Sequence, residues 1–534
     1  MRGLTMVRVR NTAILTGLLA LLLAGMPERA VAADAWFGVE SLEKRIKRSE
    51  NARARVADPE FGALSLRLPP DEDPYTAITG AEVYGYLQDI MNISVETRPE
   101  GERFWGRIAG SRSEVATAEY IADKFQEFGL KEVRLEDVKG GAQWWPLKWE
   151  ATLLGSEAYG SGTTDVHFDS AFPALQLQGD PVAIEGLEAE LAFVGYGQPV
   201  DLVGRDIEGK VAVVRAAMQS DGFFQTARGY MDGVIEAGAV GVLVIMDTPG
   251  NHQYALEDMG PGHVPALILG GDDGRFLLDA MAAAGSANPL KIRIGLMTEI
   301  RDSWLGKNVF GMVPGKSDEY VVIVSHLDGY FESANDNGGG LASMLALANY
   351  YANEAPEKPK RNMLFVGTSG HHEFSDGVAT LIREHKETLD NSVLVMNIEH
   401  PSSTFSYYRG PLKFKRATVP GQIATTTTHG TRSLNVSNGN ALLVDFYRQA
   451  IDRYGLVINA ERELSPPTGD AFDLYRAGYV VAQILDANIW YHSTADRIDV
   501  IQETGMERAT RLYADVLDQI DRHGTEELQE RAKP

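Results

Sequence analysis

The chain has 534 residues, 44% of them hydrophobic and 23% charged, with a net charge of −24 and no cysteine. This length is more than one ordinary domain, and the balance is that of a globular protein rather than a disordered one. So acidic a surface repels phosphate backbones and argues against a nucleic-acid partner, and the lack of cysteine excludes disulfides and cysteine-linked lipid.

In chain order, residues 1–32 have the layout of a secretory signal. Arg2, Arg8 and Arg10 form a basic start, Ala13 to Met26 is apolar, and Ala30-Val31-Ala32 supplies a small-x-small cleavage site. The apolar run is too short for a comfortable membrane span. The mature chain is expected in a bacterial periplasm or medium, with no membrane span. Residues 33–80 are charged and end in a Pro- and Asp-rich tail, which predicts a short helix and a linker. After residue 81 the pattern turns helical. Val115, Ala118, Ile121, Ala122, Phe125 and Phe128 share one face, and Gly129 closes the helix.

Residues 156–295 differ, with short β-rich runs separated by Gly and Asp. Gly195-Tyr196-Gly197, Gly209-Lys210-Val211 and Ala237-Gly238-Ala239-Val240-Gly241-Val242 occur in that order. The succession resembles a protease-associated (PA) domain. Beyond residue 296, strands alternate with helices: Tyr320 to Ser325, Gly340 to Tyr351, Asn362 to Gly367 and Val393 to Asn397. Such alternation predicts an α/β fold, a mostly parallel central sheet with helices on both faces. Functional groups in such sheets lie at the carboxyl ends of the strands. Residues 409–440, polar and rich in Thr and Asn, read as a surface insertion.

Five of the 11 histidines, His326, His371, His372, His400 and His492, fall just beyond predicted strands. A lone histidine there is usually structural; several beside carboxylates point to metal chemistry. A strand delivers His326, and Asp328 two residues on is placed to turn its carboxylate toward that imidazole, as metal-bound histidines require. Asn335-Asp336-Asn337-Gly338-Gly339-Gly340 then leads into a helix. Asp336 either bridges two cations or caps that helix.

His-x-Asp, a short loop, Ala-Asn-Asp-Asn-Gly and an apolar helix together resemble the co-catalytic zinc exopeptidases. These include secreted bacterial aminopeptidases, plasma glutamate carboxypeptidase and the transferrin-receptor group, several of which carry a PA domain. The likeness reaches upstream to Gly106-Arg107-Ile108-Ala109-Gly110-Ser111 and downstream to Trp490-Tyr491-His492-Ser493-Thr494-Ala495-Asp496. It implies a zinc-peptidase domain of the phosphorylase/hydrolase-like kind from residues 81–155 and 296–534, with a PA domain inserted at 156–295.

The resemblance further implies two zinc ions bridged by Asp336, with His326 and His492 among their ligands. Asp470 resembles a residue that supports the site. Two blocks depart from the family. Where it has Gly-Glu-Glu, this chain has Gly370-His371-His372-Glu373, putting His371 on the general base and His372 on a metal ligand. Where it has Asn-x-Asp, this chain has Asn397-Ile398-Glu399. Imidazole and carboxylate both bind zinc at roughly 2.0–2.2 Å, so His372 and Glu399 are acceptable ligands. His371, with a reference pKa near 6.5, is able to accept a proton, and Glu373 is the alternative base.

The resulting expectation is a zinc-dependent exopeptidase, an aminopeptidase or related amidohydrolase, cleaving a peptide or N-acyl amide with metal-activated water. The competing expectation is a non-catalytic binding member of the same fold that has lost its Glu-Glu pair.

Overall fold

The computed structural model describes residues 73–531 except 160–163, 177–178, 217–230, 258–263 and 486–489; within 402–432 and 457–465 only short backbone strands are described. The signal segment and the helix and linker expected before residue 73 lie outside the described residues.

Two helices come first. Thr79 caps α1 (Gly80–Glu96) through its side chain, and Ser111 does the same for α2 (Arg112–Glu127). Strand β1 (Lys131–Gly140) then opens one sheet, and the chain leaves it to build another. That second sheet takes β2 (Gln143–Leu153), β3 (Val166–His167), β4 (Phe172–Pro173), β5 (Ala183–Phe193), β6 (Val211–Ala216), β7 (Gly241–Met246), β8 (Ala266–Leu269) and β9 (Lys291–Arg301). Its order is β3-β2-β9-β5-β6-β7-β8-β4, and it already includes Gln143, ahead of residue 156. Long antiparallel β2 and β9 pair from Gln143↔Arg301 to Leu153↔Ile292 and so close the excursion.

The chain returns with β10 (Trp304–Val313), which pairs with β1. The first sheet continues through β11 (Tyr320–His326), β12 (Asn362–Thr368), β13 (Ser392–Ile398), β14 (Ser433–Val436), β15 (Ala460–Glu461) and β16 (Val481–Leu485). Its order is β1-β10-β12-β11-β13-β16-β14-β15. The centre, β12-β11-β13-β16, is parallel throughout; β1 and β10 run antiparallel to their neighbours, and β14 is antiparallel to β16 but parallel to β15. The sheet is therefore mixed, with four parallel and three antiparallel pairings. Strand β14 also corrects the expectation for residues 409–440. Leu434, Asn435 and Val436 are buried within the sheet, so at least this end of the stretch is no surface insertion.

Alternation along β11 explains why both faces are covered. Val321 and Ile323 join one apolar cluster with α1, α2, α3 (Gly339–Asn349), α4 (Ala441–Tyr454) and the later α6; Val322 and Val324 join another. That second cluster packs the helices Asp376–Glu384 and α5 (Asp470–Arg476), while α6 (Glu503–Arg522) completes the first.

Candidate metal centre

The strand ends gather the chemistry. His326 ends β11, His371 and His372 follow β12, and Glu399 and His400 follow β13. Asp336 lies just before α3, and His492 lies between β16 and α6. All except His371 are buried below a tenth exposed.

Asp336 is the focus. Its Oδ1 is 3.2 Å from His326 Nε2 and 2.8 Å from His400 Nε2. Its Oδ2 is 2.7 Å from His492 Nε2 and 3.8 Å from His372 Nε2. Glu399 joins His326 and His400 in a group whose donor atoms lie within 4.8 Å of one another. Asp336 makes no helix-capping hydrogen bond, so of its two readings the capping one is not realised.

The donor set suits a cation. His326 Nδ1 lies 3.0 Å from the Asp328 carbonyl, and His492 Nδ1 lies 3.1 Å from the Ala255 carbonyl. A carbonyl only accepts, so each Nδ1 carries a proton and Nε2 is the atom each ring presents to Asp336, as a lone pair whenever the ring is neutral. Lone pairs facing a carboxylate repel it unless protons or a metal ion lie between. Nε2 of His326, His372 and His492 and both Asp336 oxygens are buried without a hydrogen-bond partner. Burial opposes ionisation of Asp336, yet the facing histidines, His400 and His372 foremost, hold it well below the usual carboxylate range. Burial likewise pulls His326 down, but Asp328 and Asp336 raise it to about 10.

The surrounding loops are held by polar contacts to backbone. Asp496 accepts from the N–H groups of Asn335 and Asp336 at 2.9 and 3.1 Å. Asn337 donates to Ser325 Oγ and the Ile398 carbonyl, tying β11 to β13. Arg107, fully buried, donates to the carbonyls of Leu327, Glu332 and Ser333 and to Ser94 Oγ. His400 and His492 adopt left-handed backbone at φ 48 and 55, a conformation costing roughly 1–2 kcal/mol away from glycine.

The remaining expected residues are placed differently from one another. His371 is oriented: its Nδ1 is 2.9 Å from Asp470 Oδ1, its Nε2 is 3.8 Å from Glu399, and its ring stacks on His326 at 4.0 Å. The Asp328 carboxylate is 3.7 Å from His326 Nδ1 and is used elsewhere, accepting from the backbone N–H of His371 and of His372. Its carbonyl, not its carboxylate, is the nearer partner of His326. Glu373 accepts from Gln143 of β2 at 3.0 Å and lines a cleft of about 400 Å³ with Trp144, Trp304, Phe374 and Asp376. Burial raises its carboxyl to about 8, against the lowering effect of Gln143.

A sequence model of peptidase family M28 matches residues 308–517. Over that stretch, 210 of 534 residues, the chain resembles peptidase family M28. The fold agrees. An M28 peptidase precursor from Shewanella amazonensis superposes with a TM-score of 0.61 at 18% identity, covering 85% of this chain and 97% of that one. A zinc aminopeptidase from Bacillus subtilis, BSAP, gives 0.57 at 17% identity, covering 83% and 95%. In sequence, the minor extracellular protease Vpr of Bacillus subtilis is 31% identical over 159 residues, which is 30% of this chain. The match spans only 17% of that relative's length.

His326, Asp336, His371, His372, Glu399, His400 and His492 all lie within residues 308–517, but one further acidic residue of the cluster, not legible in the sequence, lies outside them. Glu257 forms a further candidate ligand group with His372 and His492. Burial opposes its ionisation, but those two histidines lower it to about 2. Nothing in Tyr254-Ala255-Leu256-Glu257 marks it locally. His400, to which the sequence assigned no role, does carry a legible sign, since it directly follows Glu399 at a strand end. Among the described residues, no helix is long and apolar enough to cross a membrane.

Proposed function

We propose that this chain is an exported, zinc-dependent exopeptidase, an aminopeptidase or related amidohydrolase. The observation that carries the reading is the convergence of unpartnered, buried Nε2 atoms on both oxygens of Asp336. His326 and Glu399, with His400 beside them, would hold one ion and His372 and His492 another, with Asp336 between the two groups. The peptidase domain, expected at 81–155 and 296–534, gives up β2 and the end of β9 to the second sheet, so residues 143–301 form the PA domain, and residues 1–32 the export signal.

Bound there, zinc supplies Lewis acidity, acidifying a water and polarising the scissile carbonyl. The protein supplies the rest. His371 accepts the proton of the attacking water at Nε2 and delivers it to the departing amine, while Asp470 holds the Nδ1 proton in place. Without metal, burial and His326 lower His371, but Asp470 and Glu399 raise it to about 9. Two neighbouring dications oppose that rise and favour the neutral, basic form. The substrate proposed is a peptide or N-acyl amide, the bond class that metal-activated water hydrolyses.

A second reading, a non-catalytic binding member of the fold, draws on Glu373, whose carboxylate is engaged by Gln143. One experiment separates the two. The mature chain is purified, its zinc counted by elemental analysis, and aminoacyl and N-acyl amide substrates assayed with and without chelator. Two ions with chelator-sensitive turnover support the enzyme; metal without turnover across the panel supports the binding reading.

A further inference from the structure

The residues that stand behind the candidate ligands are as ordered as the ligands themselves. His326 has the Asp328 carbonyl behind its Nδ1, and His492 has the Ala255 carbonyl. His372 has no carbonyl there. Its Nδ1 instead faces Glu257 Oε1 at 3.0 Å, and Glu257 Oε2 lies 3.4 Å from His492 Nδ1. A single carboxylate thus stands behind both histidines whose Nε2 atoms face Asp336 Oδ2.

Glu257 belongs to the segment that connects β7 and β8 of the second sheet, outside residues 308–517. Its place is secured by pairing with the segment that carries His492. Ala255 N–H donates to the His492 carbonyl at 2.8 Å, Thr494 N–H to the Gln253 carbonyl at 3.0 Å, and Gln253 N–H to Thr494 Oγ1 at 3.1 Å. The Tyr330 ring closes the arrangement at 4.9 Å from the His372 ring and 5.1 Å from the His492 ring.

We propose that Glu257 is a positioning residue of the metal centre, lent by the second sheet: it orients His372 and His492 through Nδ1 and places a negative charge behind the second ion. The proposal rests on the zinc reading above. A histidine ligand backed by a carboxylate is fixed in tautomer and made a better donor. Because His372 is an imidazole, it brings no charge of its own to the ion, and Glu257 provides that charge one residue removed. Occupancy of the second site is thereby coupled to docking of the 253–257 segment.

The test is zinc titration of the full mature chain by chelator competition, in the unaltered protein, Glu257→Gln and Glu257→Ala. The isosteric Glu257→Gln keeps the packing, and circular dichroism reports whether each variant folds. The weaker ion should bind roughly 10–100-fold less tightly in both variants while the tighter ion is unchanged. Both variants should still reach two ions at saturating zinc, and the cobalt-substituted proteins should keep the visible absorption intensity of the unaltered chain. Equal affinities in all three proteins would overturn the proposal. So would failure of Glu257→Ala to take a second ion at saturation, or a changed cobalt spectrum, since either makes Glu257 a direct ligand. If the unaltered protein binds no zinc, the metal reading itself falls, a result distinguishable from the others.

Discussion

Asp470 Oδ1 lies 2.9 Å from His371 Nδ1, and Thr368 Oγ1 donates to the other oxygen of the same carboxylate at 2.8 Å. An ionised carboxylate only accepts, so this contact keeps the proton on Nδ1 and leaves Nε2 as the basic atom. Asp470→Asn retains the size but removes that bias. We expect kcat to fall roughly 10–100-fold, with KM and zinc content unchanged. Steady-state kinetics alongside elemental analysis measures both, and zinc loss in parallel would assign Asp470 to the ligands instead of the base.

Removing metal should cost stability as well as turnover. At zinc concentrations of a hundred to a thousand times Kd, bound ion stabilises the fold by about 3–4 kcal/mol, so chelator should lower the thermal midpoint. Asp336→Asn removes the carboxylate charge on which the proposed site's histidines converge. In that variant the chelator-dependent shift in Tm should be small or absent, and turnover should fall to background.

Zinc binding should release protons. In the metal-free site His326 is raised to about 10 by Asp328 and Asp336, overcoming burial, and His371 is raised to about 9. At pH 7.5 both therefore hold a proton that a zinc ligand, or a base beside zinc, must lose. Because the pKa values are raised, the proton competes below them, and apparent zinc affinity should rise with pH up to about 10. Calorimetry in buffers of different ionisation enthalpy should report release of about one to two protons.

Gly469 guards Glu399. At φ +64, an added Cβ would stand 2.6 Å from both carboxylate oxygens of Glu399. Gly469→Ala should displace that carboxylate, weaken one ion roughly 10–100-fold and cost about 1–2 kcal/mol of backbone strain. Chelator competition and urea unfolding separate the two effects.

Arg107 supports the loop that carries Asp336 without touching the ligands. Arg107→Met preserves much of the apolar stem but leaves the carbonyls of Leu327, Glu332 and Ser333 short of donors, the first and last of them buried. Each buried orphan costs roughly 1–3 kcal/mol, so the loss should be at least about 2 kcal/mol by urea unfolding. Zinc affinity should drop with it, because the loop between His326 and Asp336 loses its brace.

Much of this centre was readable from order along the chain. Tyr320 to His326 is an apolar strand ending in a ligand type, and Asn335 to Gly340 is a tight polar loop entering an apolar helix. Those are local patterns, set by side-chain alternation and by backbone freedom at glycine, and they put His326, His371, His372 and Glu399 just beyond strands and Asp336 at the entry to a helix. The antiparallel flanks and buried β14 were not readable, because strand direction and pairing depend on contacts between distant segments rather than on composition. The same reason hid Glu257. Its position follows from the pairing of residues 253–255 with 492–494, across more than two hundred residues of intervening chain. Which nitrogen of each histidine faces inward also lay beyond the sequence. The chain determined which donor types arrive at the strand ends. Only the folded structure decided which oxygen stands behind each ring, since a tautomer is chosen by a partner a few ångströms away.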